Sequence, residues 1–183
     1  MVTAAELLSV AAFEQGRHAQ AFPSFGSERT GAPVVAFCRI GDHEIRLREP
    51  VLVPDVLIVQ DATLLHQVDV FQGLHPQGYV LINSSRSFSE LGLGDMVSRL
   101  RPERLITVPA SEIAIRHLGR PLPNAVMLGG FAALSGLITL DAVKHAIGEK
   151  FKPGVAAANV AAATEAFEYV RQEMLELGHV QAD

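Results

Sequence analysis

The chain has 183 residues, of which 49% are apolar and 19% charged, with a formal net charge of −5. That length suits one domain with a full hydrophobic core, so residues 1–183 are expected to form a single unit. The apolar surplus excludes a disordered chain and points to partners covering part of the surface. The basic residues are scattered, which leaves no electrostatic footprint for nucleic acid. No apolar run reaches the ~18 residues of a membrane span, and no charged segment precedes a secretory core, so a cytoplasmic address is expected. Cys38 is the only cysteine, so neither an internal disulfide nor a four-thiolate metal or cluster site can be built from this chain alone.

The first predicted element is a helix. Ala4, Leu7, Leu8, Ala11 and Ala12 recur at helical spacing up to Gly16, and Thr3 with Glu6 reads as a capping box. Residues 17–22 read as a short extended piece, and 24–31 as a polar loop punctuated by Gly26 and Gly31. Residues 34–40 have strand length and composition, and Gly41-Asp42 is a hairpin signal, so 44–48 are expected to pair back antiparallel. Residues 56–60 (VLIVQ) form a continuous apolar run ending at Asp61, the pattern of a strand buried on both faces. Residues 63–71 read as helical or irregular, and 75–78 as a turn.

Residues 79–82 repeat the buried-strand pattern and end in Asn83-Ser84-Ser85, while 86–101 read as loop plus a short helix. A third buried strand, 104–108, stops at Pro109. Ser111 is then expected to cap a helix over 112–118 that Gly119 ends. Small residues crowd a helix predicted over 124–136 (NAVMLGGFAALSG), a density that permits close approach of another backbone. A further helix starts at Thr139 or Leu140, and a last one spans 155–177 with Val160, Ala163, Phe167, Val170 and Met174 on one side. Strands separated by helices predict an α/β fold of three layers, α/β/α, with a mixed, mostly parallel sheet.

Common enzyme signatures are missing: no phosphate loop of the GxxxxGKS type, no GxGxxG after a strand, and no HExxH or GxSxG. Seven histidines show no metal-ligand spacing and read as surface or capping residues. Asp61 and Asn83–Ser85 sit at strand ends, where open α/β sheets bind ligands, or else they close turns. Glu28 and Arg29 sit on a tight loop feeding a strand, as a solvated turn or as a binding contact.

The order of the segments VTAAELLS, SFGSERTGAPVVAFCRI, VLIVQD and NAVMLGGFAALSG resembles the gamma subunit, or fused gamma domain, of the 2-oxoacid:ferredoxin (or acceptor) oxidoreductases. The resemblance covers essentially the whole chain. SFGSERTGAPV is its most specific piece, similar to an S-x-G-x-E-x-R-G-x-P pattern with Thr30 where a second arginine is common. It implies a subunit of an enzyme that converts a 2-oxoacid such as pyruvate to an acyl-CoA and passes electrons to ferredoxin or another acceptor. Thiamine diphosphate with magnesium, coenzyme A and 4Fe–4S clusters belong to that assembly, held by alpha, beta and delta-type partners; the resemblance implies no catalytic residue and no metal ligand in this chain. It also implies that Ser27, Glu28, Arg29 and Gly31 touch coenzyme A or the subunit junction. Family members normally begin with a strand and a G-x-G-G-Q-G turn ahead of the VTAAELLS helix. Here Met1-Val2-Thr3 falls inside that feature, so a late start or the loss of strand and turn is expected. The alternative reading is a free-standing nucleotide- or small-ligand-binding α/β module.

Overall fold

The computed structural model describes residues 1–24 and 33–180. Helix α1 (Val2–Glu14) is followed by strands β1 (His18–Ser24), β2 (Val35–Gly41) and β3 (Val56–Val59), then a 3-10 turn (Ala62–His66). Strand β4 (Tyr79–Asn83), helix α2 (Gly94–Arg99) and strand β5 (Leu105–Val108) come next. Helices α3 (Ala110–Leu118), α4 (Asn124–Ser135), α5 (Leu140–Lys150) and α6 (Pro153–Val180) complete the order.

The expected α/β class holds. Strands β3, β4 and β5 form a parallel ladder in chain order, with Val56 opposite Tyr79 and Val80 opposite Leu105. Successive side chains of a strand point to opposite faces. Leu81 and Ile106 therefore enter the main core that the long helices supply, while Val59, Val80, Ile82 and Leu105 meet Phe88 and Leu91 on the other side. Burial on both faces explains why these runs are continuously apolar.

The antiparallel pairing differs from expectation. Residues 44–48 form no strand; β2 pairs instead with β1, from His18 opposite Gly41 to Ser24 opposite Val35. This two-stranded ladder stands apart from the parallel sheet rather than joining it in one mixed sheet. The physical reason is apolar surface. Pairing with β1 brings the Phe22 and Phe37 rings to 5.4 Å between centroids, and lets Ala19, Cys38 and Ile40 pack on the core. Residues 44–48 carry charges at three of five positions and offer less to bury. Arg39 instead clamps the following connection, donating through Nη1 to the Glu49 carbonyl at 2.7 Å and through Nη2 to that of Pro50 at 3.3 Å.

Two expected caps are also corrected. α1 starts at Val2, so Thr3 lies inside it and makes no cap, and α3 starts at Ala110, so Ser111 falls in its first turn. Thr139 does cap α5, its Oγ1 accepting from the Ala142 N–H at 3.1 Å, and Gly119 and Gly136 end α3 and α4 in the left-handed conformation at φ 69° and 63°.

Helix α4 is the centre of the molecule. It has no charged residue, and every residue from Ala125 to Ala132 is buried, as required of a helix that is apolar all round. It lies between Leu81 of β4 on one side and Ala163 and Val170 of α6 on the other. The outer side of α6 is tied to α3 by Glu165, which accepts from Arg116 and pairs with His117.

Partial burial works against ionised Glu165, but the hydrogen bonds from Arg116 and His117 outweigh it and hold the carboxyl below its ordinary 4.5. A lowered folded-state value means that the pairing stabilises the protein above about pH 4.5 and that this contribution is lost as pH falls through the folded value. Glu165→Gln is therefore expected to lower the Tm at pH 6, with the gap to the parent closing towards pH 3.5. Parallel Tm-against-pH curves for the two proteins would contradict the assignment.

Candidate functional site at the carboxyl edge of the parallel sheet

In a parallel sheet every strand delivers its carboxyl end to one edge, and the polar residues that follow collect there. Here Gln60 and Asp61 follow β3, Asn83 ends β4, and Ser111 stands in the first turn of the helix after β5. Together with Thr63, Pro33 and Val34 they line a cleft of about 730 Å³.

A compact hydrogen-bond network fixes its floor. Asn83 Nδ2 donates to the Gln60 carbonyl at 2.9 Å and to Ser111 Oγ at 2.8 Å, while Asn83 Oδ1 accepts from the Ser111 N–H at 3.0 Å. One asparagine thus joins the ends of β3 and β4 to the start of α3, and supplies the acceptor that the first turn of that helix needs. The side chain of Gln60 accepts through Oε1 from the Met1 nitrogen at 3.2 Å, which also donates to Asn124 Oδ1 at 3.0 Å. The start of α1, the end of β3 and the start of α4 therefore meet at one point. Gln60 Nε2 is buried without a hydrogen-bond partner among the described residues.

Asp61 takes the turn-closing option and lines the cleft as well. Its Oδ1 accepts from the Thr63 hydroxyl at 2.7 Å and the Thr63 N–H at 2.9 Å, capping the 3-10 turn. The Thr63 hydroxyl first, and its backbone N–H second, hold the carboxyl below its usual value, so Asp61 is an anion at neutral pH and not a proton donor. Ser111 Oγ is engaged by an amide, and no histidine, cysteine or lysine is among the lining residues. The described part of the cleft can orient and hydrogen-bond a ligand or a neighbouring chain; it does not combine a nucleophile with a base.

Of the residues expected to bind, Ser27, Glu28, Arg29 and Gly31 lie outside the described residues. Asn83 and Asp61 are brought into the same cleft, whereas Ser84 and Ser85 are not among its lining residues. Gln60 and Ser111 were legible only in part: position at a strand end marks Gln60, but nothing local in the sequence says that Ser111 is held by an asparagine 28 residues earlier. Cys38 is set apart from any such role, because burial pushes its thiol up to about 12 and keeps it protonated.

Comparison with known proteins places this arrangement. Residues 1–169 match the family described as pyruvate ferredoxin/flavodoxin oxidoreductase. The pyruvate synthase subunit PorC of Methanothermobacter marburgensis is 44% identical over 170 residues, covering 93% of this chain and 90% of that protein. The pyruvate/ketoisovalerate oxidoreductases common subunit gamma of Pyrococcus furiosus is 40% identical over 178 residues, covering 96% and 92%. The crystal structure of the pyruvate oxidoreductase subunit PORC of Thermotoga maritima superposes with a TM-score of 0.74 at 34% identity, over 91% of this chain and 88% of that one. A match that spans nearly the whole length on both sides, in sequence and in fold, makes this chain a member of the pyruvate ferredoxin/flavodoxin oxidoreductase family.

Proposed function

We propose that this chain is the gamma subunit of a multi-subunit 2-oxoacid:acceptor oxidoreductase of the pyruvate or ketoisovalerate type, and that it acts only within the assembly. In this reading alpha, beta and delta-type partners hold thiamine diphosphate with magnesium and the 4Fe–4S clusters, and the chain contributes assembly surface and part of the coenzyme A region. The observation that carries the proposal is the nearly full-length match to proteins named as PorC or common gamma subunits. Exposed apolar side chains support it: in the connection held by Arg39, Leu52 is 79% exposed and Leu47 and Val53 59% each. Three such residues on one short connection are what a covered surface requires.

Co-expression with the neighbouring subunits tests the proposal. A complex with pyruvate- or ketoisovalerate-dependent reduction of ferredoxin is expected, and a chain that elutes alone beside an active remainder would refute it. The free-standing ligand-binding alternative predicts a nucleotide- or coenzyme A-dependent rise in the Tm of the isolated chain that persists when Arg17 is replaced by glutamine, which the subunit reading does not.

Ser27, Glu28, Arg29 and Gly31 are proposed to act at the same edge. Pro33 and Val34, two and three residues beyond Gly31 in the chain, line the cleft, and that proximity in sequence supports the proposal. An arginine there supplies a charge-assisted contact to an anionic group. Arg29→Ala is expected to leave the Tm of the chain unchanged and to raise the KM for coenzyme A in the assembled enzyme about tenfold or more, the worth of one charged hydrogen bond. Unchanged kinetics would retire the role.

A further inference from the structure

The opposite, amino edge of the parallel sheet holds a second cavity, of about 410 Å³. Arg17, Asp55, His75, Tyr79 and Arg104 line it, brought from the end of α1, the approaches to β3 and β4, and the residue before β5. No residue of the carboxyl-edge cleft takes part.

Arg104 is held in place by the protein without being used up. Its guanidinium carbon lies 4.8 Å from the centroid of the Tyr79 ring, and Nη1 donates to the Gln77 carbonyl. Stacking fixes the plane of the guanidinium and the carbonyl fixes its rotation, while Nε and Nη2 make no hydrogen bond to the described residues. Arg17 is held more loosely: Nε faces Asp42 Oδ1 at 3.4 Å, and the two Nη groups make no hydrogen bond to the described residues. The Asp42 side chain is 80% exposed and screened by water, so it only weakly offsets the arginine. His75 accepts from the Gln77 N–H through Nδ1 at 3.1 Å, which leaves the proton of its neutral ring on Nε2 as a further donor. Asp55 supplies the one carboxylate of the lining, and it forms no ion pair with either arginine. Unspent donors on two guanidinium groups, one of them oriented by the fold, are a large part of what an oxyanion site needs, because part of the ordering cost is already met.

From this geometry we infer that the amino-edge cavity binds an oxyanion, the phosphate or carboxylate group of a small molecule, between Arg104 and Arg17. Neither arginine belongs to the carboxyl-edge site, so the inference stands or falls apart from the subunit reading. Asp55 limits the cavity to ligands whose anionic group reaches past it to the guanidinium edges.

The test is titration of the full chain with inorganic phosphate and, separately, with acetate, each against sodium chloride at equal ionic strength. The backbone amide resonances of Gln77, Tyr79 and Ile40 report the cavity. Saturable shifts with phosphate, with acetate or with both are expected, and which anion saturates identifies the group. Arg104→Gln and Arg17→Gln are each expected to weaken that binding about tenfold or more, from the loss of one charged hydrogen bond. Arg104→Gln also removes the stack on Tyr79, so Arg17→Gln decides the matter if the first variant folds poorly. Shifts no different from those in chloride overturn the inference, and so does saturation that Arg17→Gln leaves unchanged.

Discussion

Gly129→Ala is expected to destabilise the protein by about 3 kcal/mol, a fall in Tm of roughly 10 °C for a chain of this size. The reason is specific to the crossing of α4 and α6. A Cβ built on Gly129 would stand 1.9 Å from the carbonyl oxygen of Ala163 and 2.7 Å from its carbonyl carbon. Those are backbone atoms of a helix packed on both sides, so no rotamer change relieves the clash; α6 must move as a body or the core must open. Ordinary helix propensity predicts the opposite sign, since alanine is better than glycine in a helix by roughly 1 kcal/mol. Gly148 provides the control. It lies on the exposed side of α5 with nothing within 4 Å of its Cβ position, and Gly148→Ala is expected to stabilise by roughly 0.5–1 kcal/mol. Thermal or urea unfolding of the two variants reads opposite signs from the same substitution. A neutral or stabilising Gly129→Ala would mean that α4 and α6 do not approach as closely as described.

Asn83→Ala is expected to cost about 2 kcal/mol, and to do so at the edge of a cleft where most polar substitutions are nearly neutral. The side chain makes three hydrogen bonds with two other elements, and alanine leaves the Ser111 N–H and the Gln60 carbonyl without their partner. An unsatisfied buried group costs more than a hydrogen bond contributes, though cleft water replaces part of the loss. Ser111→Ala removes only one of the three and is expected to cost about 1 kcal/mol. Asn83→Asp falls between them: it keeps an acceptor at the start of α3, where negative charge is favoured, but faces the Gln60 carbonyl with a carboxylate. The order Ala, Asp, parent in urea midpoint therefore reports the network itself. Equal midpoints for Ala and parent would show that Asn83 holds nothing together.

The two variants also separate folding from assembly. Gly129 is buried inside α4, so its substitution should affect any function through loss of folded chain. Asn83 and Ser111 line the cleft, so a change there that leaves the Tm tolerable but lowers turnover of an assembled enzyme places the network beside the working surface.

Much of this architecture was legible in the residues. The runs 56–60, 79–82 and 104–108 are short, continuous and largely apolar, and such runs have few stable homes other than a parallel sheet covered on both faces. The helix over 124–136 is apolar on every side, so it had to be internal, and its glycines announced a close neighbour. Gly119 ended α3 as expected, and α5 began at Leu140, one of the two starts expected, because these signals act within a few residues of one another.

Only the tertiary structure decided the rest. Local signals put a hairpin at Gly41-Asp42, yet β2 chose β1, because side-chain burial over seven paired positions outweighs a two-residue turn preference. Ser111 carried a cap signature, but its acceptor came from Asn83, which no spacing rule connects to it. That α6 supplies the neighbour of Gly129, and that Arg17 and Arg104 face one cavity, are likewise relations between residues far apart in the chain. Sequence determines which surfaces must be buried and where the backbone can turn. Which surface covers which is settled when all of them are packed at once.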